Sequence, residues 1–115
     1  MEIMMKNPIS ENWYADPESR VFGDTVYMYV TRSREYENQL NLDLVTTNDL
    51  ESFQTYYGIL DMSTFKGVEK AVWAPTIVDK NNRYYIIFAA EANISCGVSR
   101  ISYCVSNISL IRPEK

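Results

Sequence analysis

One aspartate set among aromatic residues, in Trp13-Tyr14-Ala15-Asp16-Pro17, is the sharpest chemical feature of this 115-residue chain. Hydrolysis of a bond between sugars needs two carboxyl groups. One protonates the leaving oxygen, and the other activates water or attacks the sugar carbon. Asp16 is a candidate for the ionised member of such a pair, although the same residues would also make an Asp-Pro turn with no chemistry. The chain has no histidine, which removes His-based triads and His-ligated zinc sites. Its two cysteines, Cys96 and Cys104, are too few for a four-thiolate site and read as free thiols. No metal and no cofactor is expected. Carboxylate chemistry or plain binding is left, and nine tyrosines with two tryptophans supply flat apolar surface that suits sugars.

The elements that would carry Asp16 are strands. Thr25-Val26-Tyr27-Met28-Tyr29-Val30-Thr31 is rich in β-branched and aromatic residues and follows a Gly23-Asp24 turn. Tyr84 to Ala90 has the same character after an Asn81-Asn82 turn, while Leu40 to Thr47 and Arg100 to Ser106 form a second similar pair. In the Leu40–Thr47 stretch, Leu40, Leu42 and Leu44 are expected to share one face. Only Asn48-Asp49-Leu50-Glu51 reads as a capped turn, and long helical periodicity is missing. The expected fold class is all-β.

The two halves also superpose. Asp16-Pro17 falls on Ala74-Pro75 and Val26-Tyr27 on Tyr84-Tyr85, a period of about 58 residues, with a slip of about two residues further on. A unit of this length holding about four short strands has the form of a β-propeller blade. In Thr25–Thr31 both alternating faces are largely apolar, so the sheet must be covered on both sides, as a blade is by its neighbours. A small β-sandwich with a chance repeat is the competing architecture. The blades are expected at about residues 12–60 and 70–115.

Asn7-Pro8-Ile9, Trp13-Tyr14-Ala15-Asp16-Pro17-Glu18, the strand Gly23 to Tyr29 and Val72-Trp73-Ala74-Pro75 together resemble the start of glycoside hydrolase family 43. Asp79 to Phe88 and Arg100 to Pro113 extend the resemblance in family order over nearly the whole chain, departing at Ile111 where a glycine is usual. The resemblance implies a five-bladed propeller, of which this chain would hold the first two blades. It implies inverting hydrolysis of α-L-arabinofuranosides, β-xylosides and related plant polysaccharides. Asp16 matches the family's general base, and Trp73 matches an aromatic beside the sugar pocket, where a blade-core tryptophan is the alternative. Trp13 and Tyr14 would flank that pocket or simply pack. The family's second aspartate and its general-acid glutamate would fall beyond Lys115, so the isolated chain is expected to be a fragment that is inactive alone. The related invertase pattern, Trp-x-Asn-Asp-Pro, is disfavoured by Ala15.

The expected partner is an arabinose- or xylose-containing saccharide. A net charge of −4 with scattered Lys and Arg argues against nucleic acid. The longest apolar run, Tyr84 to Ala90, is far short of the roughly 20 residues that span a bilayer, so no membrane partner is expected. No secretory leader is legible at the start, so the chain as written reads as cytoplasmic, or as secreted or periplasmic if a leader is missing. A second chain, or self-association, would cover the outer face of the second blade. A non-catalytic sugar-binding or interaction module built from paired half-propellers is the alternative function, and a fragment without stable function is the third.

Overall fold

A computed structural model describes residues 7–64, 68–92 and 102–107. It contains seven strands in two antiparallel sheets: β1 (Tyr14–Phe22), β2 (Thr25–Arg32), β3 (Leu42–Thr47) and β4 (Gln54–Tyr56), then β5 (Val68–Lys80), β6 (Arg83–Ala92) and β7 (Ser102–Asn107). Both sheets are meanders, ordered β1-β2-β3-β4 and β5-β6-β7. Two short 3-10 turns, Tyr36–Asn38 and Met62–Thr64, are the helical segments among the described residues. None of the described helices is long and apolar enough to cross a membrane. The all-β expectation holds.

The repeat read from the sequence is a repeat of geometry. Phe22 pairs with Thr25 across the first hairpin, and Lys80 pairs with Arg83 across the second, the same positions shifted by the sequence period. The first turn has positive φ at Gly23 (65°), which glycine adopts at no steric cost. The second has positive φ at both Asn81 (52°) and Asn82 (62°), the type I′ pattern that asparagine tolerates and that matches strand twist. Each first strand breaks register at its X-Pro pair: between Ala15 and Glu18 in β1, and between Trp73 and Thr76 in β5. There Asp16 (φ 50°) and Ala74 (φ 51°) take the same left-handed conformation.

The core lies between the two sheets. Tyr27, Tyr29, Leu42 and Leu44 from the first sheet pack with Val72, Ile77, Ile86, Phe88 and Ala90 from the second, and Leu60 completes the cluster. β5 lies against both β1 and β2. Phe22 meets Tyr84 edge-on, with ring centroids 4.8 Å apart at 70°, and so ties the outer ends of the two hairpins. All of β3 is buried, Thr46 and Thr47 included; β2 and β4 flank it, and Leu42 and Leu44 pack in the core shared with the second sheet.

Two local expectations need adjustment. Leu40 is exposed and precedes the strand, so it does not share a face with Leu42 and Leu44. The chain turns inward only at Asn41, whose Oδ1 accepts from the Leu42 and Leu60 amides while its Nδ2 donates to the Leu60 carbonyl. The turn after β3 is capped as expected, with Thr47 Oγ1 accepting from the Leu50 amide and Asp49 Oδ1 from the Glu51 and Ser52 amides. The Ser52 and Glu51 amides hold the exposed Asp49 carboxyl below its ordinary pKa. That turn's contribution to stability is therefore present at neutral pH and is lost as pH falls through the depressed value. The cysteine reading lies outside the described residues at Cys96, and at Cys104 only the backbone of β7 is described.

Leu44 is fully buried at the centre of the shared core. Leu44→Ala is expected to cost about 2–5 kcal/mol. Urea unfolding followed by circular dichroism and by tryptophan fluorescence should show both probes losing stability together, because the core belongs to both sheets.

Candidate functional site

Asp16 stands within β1, on the bulge that separates Ala15 from Glu18. A bulge re-aims a side chain, and an aspartate accepts left-handed φ more readily than most residues. Ala15 pairs with Thr31 on β2, which brings the Thr31 hydroxyl beside the bulge. Thr31 Oγ1 donates to Asp16 Oδ2 at 3.1 Å and accepts the backbone N–H of Ala74 at 2.7 Å. Thr31 is only 3% exposed, whereas Asp16 is exposed. The arrangement thus runs from a solvent-facing carboxylate, through a buried hydroxyl, to the Trp73-Ala74-Pro75 segment of the other sheet.

Trp73 lies next to that junction on β5 and is 36% exposed. Its indole N–H donates to Gln39 Oε1, and the Tyr36 ring stands against it edge-on at 5.8 Å and 61°. Gln39 also accepts the Val72 N–H on its carbonyl at 3.0 Å and donates through Nε2 to the carbonyls of Arg32 and Arg34. The Tyr36 hydroxyl donates to Glu91 on β6. The charged segment after β2 is exposed, but it reaches across to the second sheet and fixes one edge of Trp73. Sequence reading missed Tyr36 and Gln39, because nothing in a run of charged and polar residues announces a cross-sheet contact.

Trp13 immediately precedes β1 and Tyr14 opens it. Trp13 is 82% exposed and is fixed only through its backbone, its carbonyl accepting the Ser33 N–H at 3.0 Å. Both residues line an open cleft of about 230 Å³ with Arg32, Ser33, Arg34 and Asp43, and Asp16 does not line it. The Tyr14 hydroxyl donates to Asp43 Oδ2 at 2.7 Å. A cleft of about 530 Å³ lies at the opposite end of the first sheet against Asp24, Thr47 and Phe53, away from Asp16.

Asp43 is the buried electrostatic centre of this region. It is 1% exposed, and its Oδ1 accepts from Arg32 Nε at 2.6 Å and from the Gly58 amide at 2.9 Å. Gly58 has φ of 63°, which favours glycine, and a Cβ there would stand 3.3 Å from the Arg32 guanidinium, which would have to shift slightly. Burial, followed by the hydrogen bond and charge of Asp43, pushes the Tyr14 phenol well above its ordinary pKa. The stabilisation linked to that proton is complete below the unfolded-state value of about 10 and is lost as pH rises through the elevated one. A signal for Asp43 was available: it is a lone carboxylate between Leu42 and Leu44 in a strand that is otherwise apolar or threonine.

The model of the family described as glycosyl hydrolases family 43 matches residues 5–109. The chain belongs to family 43. The chain is 31% identical over 114 residues to xylosidase/arabinosidase 43A of Humicola insolens, covering 87% of this chain and 34% of that protein. It is 27% identical over 104 residues to beta-D-galactofuranosidase xynD of Aspergillus niger, covering 82% of this chain and 31% of that protein. Its fold matches a family 43 enzyme of Xanthomonas citri solved with xylose, with a TM-score of 0.70 at 19% identity, over 85% of this chain and 30% of that one. The chain thus spans about a third of the length of these relatives, and its two sheets are β-propeller blades.

Removing the buried Asp43 carboxylate would leave the half-buried Arg32 without its counter-charge and the Gly58 amide without its acceptor. Asp43→Ala is expected to cost about 3–5 kcal/mol, and Tyr14→Phe only about 1 kcal/mol because that hydroxyl is less buried. Denaturant melts of the two variants at pH 7 check the order and the size of the gap.

Proposed function

We propose that the chain supplies the general-base side of an inverting glycosidase site acting on arabinofuranosides or xylosides. The single observation that carries this reading is the placement of Asp16. In a chain of family 43, an exposed carboxylate on a strained bulge is pinned beside the Trp73-Ala74-Pro75 segment. Backbone strain of this kind concentrates at functional sites, because the surroundings must over-determine it. Asp16 would accept the proton of the attacking water through the oxygen that Thr31 leaves unengaged. Trp73 would set its exposed face against a sugar ring, with Tyr36 and Gln39 holding the indole in place. Trp13 and Tyr14 would border the saccharide from the neighbouring cleft. Xylose and arabinose are the favoured sugars, in keeping with the names of the relatives. The blade boundaries at about 12–60 and 70–115 belong to the same reading.

The acid is not supplied by the carboxylates nearest this seam. Inverting enzymes hold their two carboxyl groups about 6.5–9.5 Å apart, and the acid must carry a proton. Glu18 is held by Arg20 at 2.7 Å and by the Thr76 hydroxyl at 3.1 Å. Asp43 is buried against Arg32, and Glu91 accepts from Tyr36. Each has a structural partner and none is poised to protonate a leaving oxygen.

Two measurements on the 115-residue chain test this reading. Aryl arabinofuranoside and aryl xyloside should show no turnover above background, and turnover abolished by Asp16→Asn would place an acid in this chain and contradict the assignment. Calorimetric titration with xylotriose and arabinotriose should show weak binding that Trp73→Ala weakens about tenfold. Binding unchanged in that variant would remove Trp73 from the site.

A further inference from the structure

The hydrogen bonds at Thr31 have a direction, and that direction bears on Asp16. The Ala74 amide can only donate, so it occupies a lone pair of Thr31 Oγ1. The hydroxyl's single proton then remains for Asp16 Oδ2, which must accept. Resting on the base assignment above, we infer that Thr31 is the positioning residue of Asp16. It clamps one carboxylate oxygen as an acceptor and makes the clamp depend on the docking of the second blade. The side chain is suited to this. Thr31 is 3% exposed, so water competes poorly for its hydroxyl, and β-branching restricts its χ1. Its strand position opposite Ala15 sets it at the bulge that aims Asp16.

Ala74 completes the device from the other blade. It occupies the repeat position equivalent to Asp16, with nearly the same φ, 51° against 50°. An alanine in the left-handed region is strained, and here it presents its N–H to Thr31. The two bulges of the repeat thus meet through one hydroxyl: the first contributes a carboxylate, the second a backbone donor. A second contact of the same kind lies two residues on, where Thr76 Oγ1 donates to Glu18 Oε1 at 3.1 Å across the seam. Asp16 is therefore aligned only where both blades are docked.

Thr31→Val and Thr31→Ser separate this role from simple packing, since valine keeps the shape and serine keeps the hydroxyl. In isotope-labelled chain at pH 7, Thr31→Val should speed hydrogen exchange of the Ala74 amide at least tenfold and shift the Asp16 side-chain carboxyl resonance. Thr31→Ser should keep both near their native values. Asp16→Ala should leave Ala74 protected, because the Ala74–Thr31 bond does not need the carboxylate. Unchanged exchange and an unmoved carboxyl signal in Thr31→Val would overturn the inference, as would a serine variant that behaves like valine. These readouts do not use turnover, so they stand or fall apart from the base assignment itself.

Discussion

The seam between the two sheets is the constraint on which the rest depends. Each sheet is apolar on the face it turns to the other, and β5 lies against β1 and β2 to close that face. The aromatic and aliphatic side chains of the core supply the bulk of the stabilisation, as buried apolar area does in general. Apolar packing alone is tolerant of small slips, however. Directional bonds from Ala74 to Thr31 and from Thr76 to Glu18 cross the same seam and fix its register. Loss of that register would misplace Asp16 and Trp73 before it unfolded either sheet.

Two polar centres of different character follow from this arrangement. Asp43 is buried, paired and structural: its oxygens serve Arg32, Tyr14 and Gly58, and in doing so join β1, β2, β3 and the chain after β4. Asp16 is exposed and held by one hydroxyl. Both oxygens of Asp43 have protein donors, whereas the hydroxyl of Thr31 engages one oxygen of Asp16. The fold thus keeps a buried structural carboxylate apart from an exposed one, although both lie near the same strands.

Much of this was legible in the residues. The Asp16-Pro17 and Ala74-Pro75 correspondence reported a shared bulge with shared φ, and the Gly23-Asp24 and Asn81-Asn82 turns reported two hairpins in the same register. Local chemistry dictates such features, so a sequence shows them. The cross-seam contacts did not show. Thr31 reads as one more β-branched strand residue, and only the docking of β5 makes its hydroxyl a junction. Tyr36 and Gln39 sit in a charged stretch whose path across Trp73 is set by tertiary contacts. Leu40 was misjudged because hydrophobic alternation continued one step past the point where Asn41 turns the chain inward.

The central claim is that Asp16 and Trp73 form one side of a sugar site at the seam. A crystal structure of the chain soaked with xylotriose or arabinotriose tests it most directly. The account predicts a sugar ring against the exposed face of Trp73, with a hydroxyl or an ordered water within hydrogen-bond distance of Asp16. A saccharide seated only in the distant cleft by Asp24, Thr47 and Phe53 would contradict it.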